Sequence, residues 1–331
     1  MALNPEHPGA CHLFIHAVEA REPQRAVACA ERLAGLMPGA GHLVHMPAHI
    51  YIRVGRYADA VTLNEHAVHA DQSLLEGPAA LRRGIYASGY YPHNHHFLSF
   101  AAAMMGASRL AIRHAFQAAA GVDPAVAAEI PWIEAITPIG YWTLVTFGHW
   151  DRLLSEPLPP PSMRFTTGMA YYARGVAFAA RRRWAEAGAA LDSVRRVAAA
   201  SVEGDNRTAL QIAERVLAGE IALRRGATAL AIRSFRSAVV LEDGMAYTEP
   251  PVWYYPVRHS LGKALLAAGR FPEAEHAYRE DLVRFPENGW SLYGLAQALK
   301  GQGRTAEAKA VLVRFNTAWA GADVRLVGSR F

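Results

Sequence analysis

Eight histidines lie in three short clusters near the start of the chain, and no other stretch concentrates so many side chains able to bind metals. The clusters HLFIHAVE, HLVHMPAH and YYPHNHHF contain, in order, His12 and His16, then His42, His45 and His49, then His93, His95 and His96. Imidazole is the commonest protein ligand for transition metals, and two histidines four residues apart on a helix can bind one ion from a single face. The clusters therefore predict a transition-metal site built on helices.

The ligand types also bear on the identity of the metal. Calcium and magnesium prefer oxygen ligands and soft sites require thiolates, so a histidine-rich site indicates copper, zinc, iron or nickel. Paired iron or zinc sites usually need several bridging Asp or Glu residues, and only Glu19 is well placed by its spacing. We therefore favour copper, with zinc or iron as alternatives, and expect Glu19 to act as a ligand or a general base.

The composition limits the classes of protein to consider. Hydrophobic residues make up 52% of the 331 residues, yet no apolar run is long enough to span a membrane and no secretory leader is visible, so we expect a cytoplasmic protein. The net charge of +5 comes almost entirely from arginines without an interleaved aromatic stripe, which argues against a nucleic-acid partner. Two cysteines are too few for a disulfide framework.

The apolar residues recur at steps of three and four, with Gly or Pro at regular intervals, and this pattern predicts an all-α fold. The clearest unit is YPVRHSLGKALLAAGRFPEAEHAYREDLVRFPEN, followed at once by GWSLYGLAQALKGQGRTAEAKAVLVRF. Gly269 and Gly303 are 34 residues apart, and Ala274 and Ala308 follow them by five residues. These units resemble the tetratricopeptide repeat, a helix-turn-helix unit of 34 residues.

The same turn signature recurs upstream, around Gly55, Gly106, Gly148, Arg182 and Gly226. We count about eight helix pairs in one solenoid domain over residues 1–331, with the histidine-rich repeats in residues 1–124 and the repeats that close the groove in residues 125–331. Because the chain begins inside what looks like a first repeat, we expect a protein partner or self-association to cover that edge.

The resemblance implies which histidines face the groove, because positions 2, 5, 9 and 12 of the first helix of each repeat line the concave surface. With each turn glycine at position 15, these positions fall on His42, His45 and His49, and on His93 and His96. His12, His16 and Glu19 share one face of an earlier helix. A single such histidine is more often part of a core, and donors to an anion are a second alternative, but seven in phase favour a metal site.

A second constellation lies in MAYTEPPVWYYPVRH, ahead of the most regular repeat. A strongly curved solenoid would bring this stretch across from the histidines and close a substrate pocket, whose wall would include Glu249, Trp253, Tyr254, Tyr255, Arg258 and His259, together with Trp142 of a middle repeat. The alternative is that the aromatic residues and the double proline only fill the space left by an inserted loop.

Taken together, HPGACHLFIHAVEA, PGAGHLVHMPAHIYIRVGRY, YYPHNHHF and EPPVWYYPVRHSLGKALLAAGR resemble a bacterial family of histidine-rich tetratricopeptide-repeat proteins that carry these segments in this order. The resemblance covers residues 5–305. Members of that family are generally longer at the N-terminus and have no settled activity. The resemblance implies that the histidine clusters are functional without naming a reaction.

The sequence thus predicts a metalloenzyme, an oxidoreductase acting on a small-molecule or peptidyl substrate, in which the seven inward histidines supply the metal ligands. Two alternatives remain open. One is a non-catalytic adaptor that binds a peptide or a partner protein in its groove. The other is a protein that stores or delivers metal and therefore binds it without turnover.

Overall fold

The computed structural model describes residue 4, residues 6–77 and residues 84–331. Pro5 and part of the insertion between Gly55 and Gly106 lie outside these residues. Within the described part the chain forms helices joined by short connections, without β-strands, which confirms the all-α prediction. None of the helices there combines the length and the apolar character needed to cross a membrane.

The helices follow one another in antiparallel pairs. The histidine-rich part contains α1 (Pro8–Val18), α2 (Val27–Leu36), α3 (Gly41–His45), α4 (Pro47–Arg53), α5 (Tyr57–Leu75), α6 (Tyr91–Met104) and α7 (Ser108–Gly121). The middle part contains α8 (Pro124–Glu129), α9 (Pro131–Glu134), α10 (Ile139–Thr146), α11 (Trp150–Ser155), α12 (Arg164–Ala180) and α13 (Trp184–Ala200). The last part contains α14 (Asp205–Arg224), α15 (Thr228–Asp243), α16 (Val257–Ala267), α17 (Phe271–Arg284), α18 (Gly289–Gly301) and α19 (Thr305–Ala318).

The turns between paired helices are those that the sequence pattern predicts. A left-handed backbone conformation, which glycine adopts without steric cost, ends the first helix of the pair at Gly55, Gly106, Gly148, Gly226, Gly269 and Gly303. Arg182, with φ of 57°, takes the same conformation in the repeat that lacks a turn glycine. With α3 and α4 counted as one interrupted helix, and apart from the short α8 and α9, the described residues form the eight predicted pairs of a helical solenoid.

The solenoid curves so strongly that its last two repeats touch the second and third. Trp290 of α18 donates a hydrogen bond from Nε1 to the carbonyl of Ala103 in α6, at 2.8 Å. The Tyr254 hydroxyl donates to Ser99 Oγ at 2.6 Å, and Arg53 Nη1 donates to the carbonyl of Arg284 at 2.9 Å. The connection between α15 and α16 therefore packs against the inner helices of the first repeats.

Candidate metal centre

Six histidines from α1, from α3 and α4, and from α6 converge on the concave side of the first repeats. Five pairs of their rings have centroids 4.8–5.3 Å apart, which link His12, His16, His42, His45, His49 and His93 into one continuous group. We call these six residues the histidine cluster. The three helices are far apart in sequence, so it is the stacking of successive repeats that brings the imidazoles together.

The histidine cluster divides into three groups whose donor atoms lie within 4.8 Å of one another. The inner group consists of His45, His49 and His93, and the outer group of His12, His16 and His42. The acidic group consists of His16, Glu19 and His49. Ligands of a tetrahedral zinc ion lie about 3.3 Å apart, given bonds of about 2.0–2.1 Å, so small side-chain movements would bring each group to coordinating distances.

Pro47 interrupts the helix that carries three of these histidines. Since proline has no N–H and its ring clashes with the preceding turn, α3 ends at His45 and α4 begins at Pro47, with Met46 between them. The helical direction continues across the interruption, so His45 and His49 remain one turn apart. Their Nε2 atoms lie 2.9 Å from each other.

Asn64 of α5 fixes the tautomer of His45. The Asn64 Nδ2 group donates to the carbonyl of Ala60 at 2.7 Å, so its Oδ1 atom faces His45 Nδ1, also at 2.7 Å. An amide oxygen accepts only, so Nδ1 of His45 carries the proton and Nε2 presents its lone pair to His49. A polar partner behind an imidazole is the usual support of a metal ligand.

Burial keeps most of the histidine cluster neutral. It lowers the pKa of His45 and of His93 well below the ordinary value, and His49 adds to the shift in both. Burial also lowers the pKa of His42 to about 4. These side chains are therefore unprotonated at neutral pH, which is the form that binds a metal.

His49 differs from its neighbours because two carboxylates face its other nitrogen. Nδ1 of His49 lies 2.8 Å from Glu19 Oε2 and 3.3 Å from Glu249 Oε2. Burial alone would lower the pKa of His49, but the two carboxylates outweigh it and raise the pKa to about 9. Burial likewise opposes ionisation of Glu19, yet His16 and His49 lower the pKa of Glu19 to about 2.

The remaining predicted ligand, His96, lies beside these groups rather than within them. Its ring stacks on Tyr254 at a centroid distance of 5.4 Å and is 6.4 Å from the ring of His93. Burial lowers the pKa of His96 to about 3. His95 points away, as expected, and its Nδ1 lies 2.7 Å from Nδ1 of His114.

The predicted substrate wall is divided between the histidine cluster and the core. Glu249 reaches His49, and Trp253 borders a pocket of about 130 Å³ that Glu249, Arg53 and Tyr247 also line. The other aromatic residues are packed in the core. The ring centroids of Trp142 and Trp253 are 5.8 Å apart, and the hydroxyl of Tyr255 contacts that of Tyr172. Tyr254 is also buried. Much of the aromatic segment therefore packs in the core and does not line a pocket.

Arg258 and His259 are not brought to the histidine cluster, although the repeat frame placed His259 toward the groove. Arg258 donates to both oxygens of Asp243, at 2.7 and 2.8 Å. His259 Nε2 lies 3.1 Å from Asp281 Oδ2, and its ring stacks near Trp290. The reason is the curvature of the solenoid, because α18 and the C-terminal segment cover this part of α16 before the histidines are reached.

Sequence reasoning missed two polar groups that position the histidines. Asn64 lies in the buried stripe of α5 among Ala60, Val61, Ala67 and Val68, and a polar residue in such a stripe was the signal that could have identified it. Asp71 is buried and accepts hydrogen bonds from Tyr86 and from Asn94, which is next to His93 in α6.

Comparison with known proteins identifies the repeat type. A tetratricopeptide-repeat family model matches residues 265–314, the stretch that contains Gly269 and Gly303. Comparison with curated proteins gave no significant match. The solved structures similar to this chain include one titled Assembly Chaperone of RpL4 (Acl4), residues 1–338, with 14% identity, coverage of 93% of this chain and 99% of that one, and a TM-score of 0.33. The chain is thus an all-α helical-repeat protein with a tetratricopeptide-repeat region near its C-terminal end.

Proposed function

We propose that this protein binds transition-metal ions through the histidine cluster, with the helical repeats as the scaffold that holds ligands from separate repeats together. The observation that carries the proposal is the inner group, in which Nε2 of His45 and Nε2 of His49 face each other at 2.9 Å beside His93. Because Asn64 holds the proton of His45 on Nδ1, the opposite nitrogen presents its lone pair to His49. Such an arrangement suits a shared cation.

A purely structural role fits the inner group less well. Buried polar atoms in a core are normally paired with fixed partners, since each unpaired group costs about 1–3 kcal/mol. Besides Asn64 and the two carboxylates, the imidazoles of the inner group face one another and Phe97, whose ring lies 4.5 Å from those of His45 and His49. Apolar residues would pack there without polar groups to satisfy, so three adjacent buried imidazoles support ligand chemistry.

Copper remains the metal that we propose first, with zinc or iron as alternatives. The inner group offers only imidazole nitrogens, which suit copper and zinc. Glu249, expected in a substrate wall, lies beside Glu19 and gives the acidic group a second carboxylate. The sequence argument that only Glu19 could serve was therefore too narrow, and the acidic group also suits zinc or iron.

Elemental analysis of chain purified without an affinity tag tests this proposal. We expect at least one equivalent of copper, zinc or iron in the native chain, and less in the double variant His45→Ala, His49→Ala, which keeps only the outer group intact. His95→Ala serves as the matched control, because it removes a buried histidine from the same region outside the three ligand groups. Native chain free of metal that also fails to take up Cu(II) or Zn(II) in a calorimetric titration would overturn the proposal.

Catalysis is a finer proposal that depends on metal binding. The pocket lined by Arg53, Tyr247, Glu249 and Trp253 adjoins the acidic group through Glu249, so a small or peptidyl substrate there would lie next to the metal ligands. Oxidation of such a substrate predicts oxygen consumption that the metal-loaded chain supports and the double variant does not. Metal binding without any turnover would instead favour storage or delivery.

Adaptor activity is the second candidate function, and the tetratricopeptide-repeat match at residues 265–314 favours it, since such repeats commonly present extended binding surfaces. This function predicts a protein partner that binds the native chain and the double variant with equal affinity. Loss of that binding in the double variant would show that the partner depends on the histidine cluster.

A further inference from the structure

The two nitrogens of His49 face different sets of ligands. Nε2 points to His45 in the inner group, at 2.9 Å. Nδ1, on the other side of the ring, lies 2.8 Å from Glu19 Oε2 and 3.3 Å from Glu249 Oε2. His49 is the one residue shared by the inner and acidic groups among the described residues.

Several polar atoms around Nδ1 are buried without a well-aligned hydrogen bond. They are His49 Nδ1, Glu19 Oε2 and both carboxylate oxygens of Glu249. The Glu249 side chain is only 3% exposed, and its other charged neighbour, Arg53, has its Nε 3.6 Å from Oε1. These atoms lie close together, so a cation bound among them would give each a partner.

We propose that His49 bridges two metal ions, so that the acidic group is a second metal site with His16, Glu19, His49 Nδ1 and Glu249 as its ligands. The first ion would bind in the inner group through His49 Nε2. This inference rests on the proposed function and adds the number of ions and the donor set of each. Each nitrogen of His49 gives up its proton to solvent when its ion binds, so the bridge is an imidazolate.

The donors of this second site suit a divalent cation. They are two buried carboxylates and two imidazoles, with Arg53 Nε 3.6 Å from Glu249 Oε1. The simpler alternative is a carboxylate that only orients a metal-bound imidazole through an N–H···O hydrogen bond. In that alternative Glu19 accepts a hydrogen bond from His49 Nδ1 across the 2.8 Å between them, and only the inner group binds an ion.

The second ion would also join distant parts of the chain. Glu249 lies in the connection between α15 and α16, whereas His16 and Glu19 are at the end of α1. Binding there would tie the first repeat to the segment that borders the pocket. Loss of Glu249 should therefore remove one ion and leave the inner group intact.

Titration of the untagged full chain with Cu(II), followed by electron paramagnetic resonance, tests the bridge. Two Cu(II) ions linked by an imidazolate couple antiferromagnetically, so we expect two ions per chain and a low-temperature signal well below that of the same amount of isolated copper. Glu249→Gln should bind one ion with full signal intensity. His95→Ala should behave as the native chain, and His49→Ala should lose the coupling.

The possible outcomes separate the bridge from the broader function. Two copper ions with full, uncoupled intensity, or a single ion in the native chain, would overturn the bridge while metal binding stands. Absence of bound copper would overturn both. If His49→Ala does not fold, the Glu249→Gln variant still decides, because unchanged copper content and coupling in that variant would exclude Glu249 as a ligand of the second site.

Discussion

Two buried histidine environments lie on inner helices of this solenoid, and they differ in what faces the imidazole nitrogens. In the last repeats, His259 faces Asp281, whose Oδ2 also accepts hydrogen bonds from Asn288 at 3.0 Å and Ser291 at 2.6 Å. In the first repeats, His45 and His49 face each other, with further imidazoles around them. In the first environment one carboxylate oxygen gathers three polar partners, whereas in the second several imidazoles face a common space.

A histidine at an inner position of a repeat is therefore not necessarily a metal ligand. His259 occupies the same kind of inner position as His45, yet it faces a carboxylate oxygen that Asn288 and Ser291 share. The partners of a buried histidine therefore decide between a structural and a metal-binding role. Measurements on variants of both regions test that distinction.

The largest expected effect is on stability in the last repeats. Asp281→Ala removes the acceptor shared by His259, Asn288 and Ser291 and leaves buried donors unpaired, so we expect the free energy of unfolding to fall by about 3–5 kcal/mol. Chemical denaturation measures this loss, and Asp281→Asn, which keeps one acceptor, is the control. The metal content of the folded Asp281→Ala variant should equal that of the native chain. A loss of metal in this variant would show that the first and last repeats are not independent.

Next in size is the stabilisation of the first repeats by metal. An ion that binds only the folded chain adds about 2.7 kcal/mol at a free concentration of one hundred times its dissociation constant. Thermal unfolding with and without Zn(II) or Cu(II) measures this effect. We expect the full effect in the native chain and in His259→Ala, and a smaller effect in the double variant His45→Ala, His49→Ala. Equal stabilisation of the double variant would place the metal elsewhere.

A smaller effect is expected when only the support of a ligand is removed. Asn64→Leu deletes the acceptor that holds the proton of His45 on Nδ1, and loss of such partners typically lowers metal affinity by about 10–100-fold. Calorimetric titration with Zn(II) gives the dissociation constant directly. Affinity within twofold of native would mean that Asn64 serves packing alone, and Asn64→Asp, which keeps an acceptor, should retain most of the affinity.

A further effect concerns pH and a buried carboxyl group of the last repeats. Burial raises the pKa of Glu242 to about 8 although the Val257 N–H favours its charged form. The folded chain keeps this proton while the unfolded chain loses it above about 4.5, so this group's contribution to stability is greatest below pH 4.5 and declines toward pH 8. In Glu242→Gln, urea midpoints should decline less between pH 5 and 8. An unchanged decline would remove Glu242 as its source.

The fold was largely predictable because its determinants are local. The glycines at the turns, the apolar steps and the spacing of Gly269 and Gly303 specify helix pairs, and the structure has them where expected. The curvature of the whole array was not predictable. It depends on small rotations between successive repeats and on contacts such as Trp290 with Ala103, which are 187 residues apart.

The candidate site was predictable only where repeat geometry governs it. The in-phase spacing placed six histidines and Glu19 together, because neighbouring inner helices stack in register. Glu249 was expected across a pocket rather than against His49, since its position depends on how far the solenoid closes. Arg258 and His259 were misplaced for the same reason, as no local pattern shows that a later helix will cover them.

The presence of metal in the histidine cluster is tested most directly by an anomalous-scattering map. The map is collected from crystals of the untagged native chain, above the absorption edge of the metal that elemental analysis finds. We predict a peak bonded to Nε2 of His45 and His49 and to His93, and a second one beside Glu19 and Glu249. A map without any peak in the histidine cluster, from chain shown to contain the metal, would contradict a metal centre at this place.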